Sequence, residues 1–154
     1  MIPVGELNLA EPANTIARYL AWTFPEVIFT SGRRMLSDQA HAMAENIRLN
    51  RNWIQQTYVP SHASLACQSY VDDATTGGDI AAGLLAVLAQ FSDVELAKLS
   101  KHLSGEAFDI MPVNDPVLIG WLHARAAAVG GKFLTREGGL ARFHFEVDRV
   151  KGAL

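Results

Sequence analysis

The hydrophobic pattern of the chain changes period near Leu99, and that change limits the possible fold more than any other feature. Before it, apolar residues recur three and four positions apart, as one face of a helix requires. After it they alternate with polar residues, as a strand with one buried face requires. A chain that runs helix-rich first and strand-rich last, with neighbouring strands joined by turns, predicts an α+β fold. Its sheet is small, mainly antiparallel and flanked by helices.

The helical part begins with Asn14–Trp22, which Asn14 can cap and Pro25 ends. Val27–Thr30 is β-branched and aromatic and reads as a short buried strand. Ser37–Tyr58 reads as one long helix with Ala40, Met43, Ala44, Ile47 and Ile54 on its apolar face. Breakers obscure residues 60–78. Asp72 and Asp73 there fit the start of a helix or turn. Ile80–Gln90 reads as a buried helix and Asp93–Lys98 as a helical turn. Beyond Leu99, strands are predicted at Ala107–Met111, Lys132–Thr135 and Ala141–Val147. A helix from Asp115-Pro116 to Ala128 separates the first two, and Gly138-Gly139 turns between the last two. Trp22, Trp53 and Trp121 fall on helices and read as core or groove walls, while His41, His62 and His123 read as ordinary residues.

A length of 154 residues suits one domain, so 1–154 is expected to form a single domain with a helical insertion at about 50–98. The formal net charge of -3 supplies no basic field for nucleic acid or an anionic membrane. No stretch reaches the roughly 18 apolar residues of a membrane span. The N-terminal residues lack the basic start and apolar run of a secretory signal. The expectation is a product made in the cytoplasm that reaches any outside target by another route. Cys67 is the single cysteine, which rules out an intramolecular disulfide and a Cys-rich zinc ribbon; it reads as a small buried apolar residue. Nothing in the pattern sets an oligomeric state.

Two segments carry candidate chemistry: Ser100 to Asp109, SKHLSGEAFD, and Ala141 to Val147, ARFHFEV. Alternation puts Asp109 on one face of its strand and Phe108 and Ile110 on the other. It likewise puts Arg142, His144, Glu146 and Asp148 on one face and Phe143, Phe145 and Val147 on the other. If the two strands pair, Asp109 and His144 meet on the polar face, and His102 folds back from the loop through a turn at Gly105. Two imidazoles and a carboxylate leave the fourth tetrahedral position open, as in a catalytic zinc site. On the residues alone, a histidine on a polar sheet face is more often simply solvated, and the metal site is the rarer outcome.

Ser100-x-His102-x-x-Gly105-x-Ala107-x-Asp109 resembles the motif of the LAS metallopeptidases, which comprise lysostaphin-type enzymes, D-Ala-D-Ala metallopeptidases and the hedgehog signalling domain. The likeness is nearest to the D-alanyl-D-alanine carboxypeptidase and phage endolysin branch. Ser31-Gly32-Arg33-Arg34 with Gln39 resembles that family's Ser-Gly-Tyr-Arg segment and its following Gln. Gly130 to Glu137 resembles the segment before the last ligand, and His144-Phe-Glu-Val resembles the final ligand strand. The resemblance covers Val27 to about Gln39 and Leu99 to Val147, leaving the helical region from Asn50 to Lys98 unmatched.

The resemblance implies one Zn2+ ion on His102, Asp109 and His144. It implies Glu137 as general base, Arg34 as the cation that steadies developing negative charge, and Ser100 and Gln39 near substrate. The implied activity is hydrolysis of peptide bonds in bacterial peptidoglycan, with its stem peptides as partner, by an endolysin-like or carboxypeptidase-like enzyme. Two departures stand out. Arg142 replaces the first histidine of the usual His-x-His, and Ala141 stands where many members have an acid or a histidine. Arg142 would then serve as a substitute cation or pair with Glu146 or Glu137. The departures keep two alternatives open: a non-catalytic zinc-binding module, and a phage structural component with a degenerate site.

Overall fold

The computed structural model describes residues 1–74, 78–137 and 140–148, with the side chains of residues 137 and 140 outside that description. The described residues form an α+β structure with eight α-helices and four strands. In order these are α1 (Ala13–Thr23), β1 (Phe29–Ser31), α2 (Leu36–Leu49), α3 (Trp53–Thr57), α4 (His62–Asp73), α5 (Ile80–Leu88), α6 (Asp93–Leu99), α7 (Lys101–Ser104), β2 (Ala107–Ile110), α8 (Pro116–Ala128), β3 (Lys132–Glu137) and β4 (Leu140–Glu146). The chain divides into two compact units. One joins Met1–Arg33 to Ser104–Leu154, and the other is Arg34–Leu103.

The first unit holds the sheet, whose strands run antiparallel in the order β1-β2-β4-β3. Its apolar face carries Phe29, Phe108, Ile110, Phe133, Phe143 and Phe145. These pack with Ile16, Ala17 and Leu20 of α1 and Leu118, Leu122 and Ala126 of α8. Phe108 stacks on Phe145 at 5.0 Å and takes the edge of Phe29 at 5.6 Å. The strands are short, so much of their stability comes from these rings and the two helices laid on them.

Local sequence sets the helix ends. Asp115 caps α8, its Oδ1 accepting from Val117 N at 2.9 Å and Leu118 N at 3.3 Å, with Pro116 at the first helical position. Gly130 ends it at φ 66. Asn14, the expected cap of α1, lies inside that helix instead. The capping oxygen comes from Glu11, which accepts from Thr15 N at 3.1 Å and Thr15 Oγ1 at 2.7 Å. Those bonds to Thr15, with one from Asn14, hold the Glu11 carboxyl below its ordinary pKa. Trp22, expected in the core or a groove wall, is 79% exposed and walls a shallow open pocket with Thr15, Arg18 and Tyr19.

The second unit is helical and has its own core, including Met43, Ile47, Ile54, Cys67, Val71, Leu84 and Leu88. The long helix expected over Ser37–Tyr58 is broken into α2 and α3. Asn50 leaves the helical conformation, and its Oδ1 accepts from Asn52 N at 3.0 Å, a local turn that competes with helix continuation. Within the obscure 60–78 region lies α4, opened by a capping box. Ser64 N donates to Ser61 Oγ at 3.1 Å, and Ser61 N donates to Ser64 Oγ at 2.8 Å. Asp72 and Asp73 therefore end a helix rather than start one. The Gly138-Gly139 turn lies outside the described residues. No helix among the described residues is long and apolar enough to cross a membrane.

Phe108 is fully buried at the centre of the sheet core. Phe108→Ala is expected to destabilise the protein by about 3–5 kcal/mol, and Phe108→Leu by much less. Urea unfolding followed by circular dichroism checks both.

Candidate metal centre

The pairing of β2 with β4 decides the geometry of the centre. Asp109 lies directly opposite His144, with Phe108 opposite Phe145 and Ile110 opposite Phe143. The three phenylalanines and Ile110 take the buried face of the sheet, so alternation places Asp109 and His144 together on the other face. His144 Nδ1 lies 2.8 Å from Asp109 Oδ1.

His102 arrives by a different route. It sits in the short helix α7, not in an open loop as expected, and is buried. Gly105 then turns the chain into β2 at φ 75, a conformation that a side chain strains. A Cβ on Gly105 would also lie 2.6 Å from the Arg33 guanidinium, whose NH2 group donates to Ser104 O at 2.9 Å. Ala10 N donates to Gly105 O at 2.9 Å, and Val147 N donates to Glu106 O at 2.9 Å, so the segment from His102 to Asp109 is held at several points. One ligand atom from each of His102, Asp109 and His144 lies within 4.8 Å of the other two. His102 and His144 are buried and Asp109 is half-buried. This group could hold a metal ion: it offers two imidazole nitrogens and one carboxylate oxygen, partly out of water.

Arg34 is half-buried, and its backbone N donates to His102 O at 3.0 Å. Gly32 before it packs so closely that a Cβ would lie 2.5 Å from Leu7 O, which explains a glycine there. Arg142 is exposed on β4. Ser100 ends α6 in extended conformation, and its carbonyl accepts from Leu103 N at 3.1 Å. Gln39 is 1% exposed in the helical unit, where its Nε2 donates to Tyr58 Oη at 2.9 Å. Glu137 closes β3, and its side chain lies outside the described residues.

Strand alternation puts Glu146 on the polar face but assigns it no place at the centre. Glu146 Oε2 lies 3.0 Å from His144 Nε2, so both ring nitrogens of His144 face carboxylate oxygens. Its signal was its position, two residues beyond His144 on the same strand face. Of the remaining histidines, His62 lies 3.5 Å from Glu95 at the surface, and His123 sets its ring against Phe133.

Compared with family models, curated proteins and solved structures, the chain shows no match.

Cys67 is no nucleophile in this fold. It is buried in the helical core, and burial pushes its thiol up to about 11. At pH 8 about one thiol in a thousand is then ionised. The expected outcome is negligible labelling of the folded protein by a thiol reagent at pH 8 and complete labelling after unfolding, read by mass spectrometry.

Proposed function

We propose that the chain is a zinc-dependent peptidase of the LAS type acting on the peptide part of bacterial peptidoglycan. The observation that carries this reading is the convergence of His102, Asp109 and His144. These are the three positions that the Ser-x-His-x-x-Gly-x-Ala-x-Asp motif and the last strand supply in that family. A set of two imidazoles and one carboxylate fits zinc with a free coordination position.

Zinc held by His102, Asp109 and His144 would supply a Lewis acid able to polarise a scissile carbonyl and to lower the pKa of water near neutral pH. The protein's own groups do the rest. Glu137, at the end of β3, is proposed to take the proton from the attacking water and pass it to the leaving amine. Arg34 is proposed to bind the oxygen on which negative charge develops. Asp109 and His144 are held by their own strand pairing, so little order has to be created when substrate arrives.

A second reading has one observation in its favour. Arg142 is exposed where the family carries a histidine, which suits a metal-binding module that no longer performs the reaction. Purified peptidoglycan incubated with the protein, with and without chelator, separates the two. The expected outcome is new peptide-bond cleavages by mass spectrometry that vanish with chelator and return with zinc. Zinc binding without cleavage across several wall chemistries would support the non-catalytic module instead. Glu137→Gln is expected to lower the cleavage rate by roughly 10²–10⁴-fold with zinc content unchanged. His144→Ala is expected to lose both.

A further inference from the structure

We propose that Glu146 is the positioning carboxylate of the metal centre, accepting the Nε2–H of His144 so that Nδ1 is presented to the ion. The inference rests on the reading of His102, Asp109 and His144 as ligands.

The argument begins with the two faces of one ring. Nδ1 of His144 lies 2.8 Å from Asp109 Oδ1, and Nε2 lies 3.0 Å from Glu146 Oε2. An ion shared by Asp109 and His144 therefore meets Nδ1, because that is the nitrogen already beside the other ligand. A histidine that ligates through Nδ1 carries its one remaining proton on Nε2. The ring is 6% exposed, so water is a poor substitute for a protein acceptor at that nitrogen. Glu146 supplies the acceptor.

The backbone makes this arrangement durable. His144 and Glu146 are two residues apart on β4, so their side chains leave the same face of the strand. β4 is paired on both sides, by β2 and by β3, with Glu146 opposite Ala107 on one flank and Lys132 on the other. A carboxylate behind a ligating imidazole fixes the tautomer, holds the ring plane and makes the metal-facing nitrogen a stronger donor than a neutral acceptor would.

The test uses the full chain loaded with one equivalent of zinc. Long-range 1H–15N spectra of the histidine rings should show His144 protonated on Nε2 with the metal on Nδ1. Zinc on Nε2 would overturn the proposal, since Glu146 would then stand beside the ion and not behind the ring. A parent protein that takes up no zinc would overturn the metal centre itself and this inference with it. Glu146→Ala should weaken zinc binding by about 10- to 100-fold in competition with a chromophoric chelator and alter the visible spectrum of the Co2+-substituted protein. Glu146→Gln, which keeps an acceptor oxygen, should recover most of both. Parent-like affinity and spectrum in Glu146→Ala would sink the idea. Should that variant fail to fold, the ring assignment in the parent decides alone.

Discussion

The register between β2 and β4 is the constraint on which the site depends. Asp109 faces His144 only because Phe108 faces Phe145 and Ile110 faces Phe143 on the opposite side of the same two strands. A slip of one residue would turn the rings to the polar side and bury the two candidate ligands among α1 and α8. The hydrophobic effect thus helps set the geometry of the candidate metal centre. The core excludes any register that turns the rings outward, and the polar face inherits the result.

The site was legible in the sequence to the extent that strand alternation is legible. Ala141 to Val147 has a strict period of two, and Phe108 and Ile110 flank Asp109 on the opposite face, so Asp109 and His144 share a face once the two strands pair. Other features depended on contacts that no pattern encodes. Alternation shows that Glu146 shares a face with His144, but not that its carboxylate turns back toward the ring instead of toward Arg142. Gln39 lies close in sequence to Arg34, yet helix α2 carries it into the helical core.

The helical half was read less accurately, for local reasons. Between Ser37 and Tyr58 the apolar spacing runs on past Asn50, so the break is invisible to periodicity. It is made by an asparagine side chain bonding to backbone two residues ahead. Helix α4 was obscured because its buried face includes Ser64 and Gln68, polar residues satisfied by internal hydrogen bonds. A pattern that scores apolarity passes over a helix whose core side is partly polar.

The helical unit leaves the sheet unit after β1 and returns before β2, and those two strands are neighbours. At its own ends, Arg34 N donates to His102 O, so the excursion is closed at its neck. A closed neck makes the sheet indifferent to how much chain lies beyond it, because lengthening a loop whose ends are already joined adds little entropy. The bulk of that segment can therefore change in length at little cost to the sheet. The residues at the neck cannot, since the bond from Arg34 to His102 is what closes it.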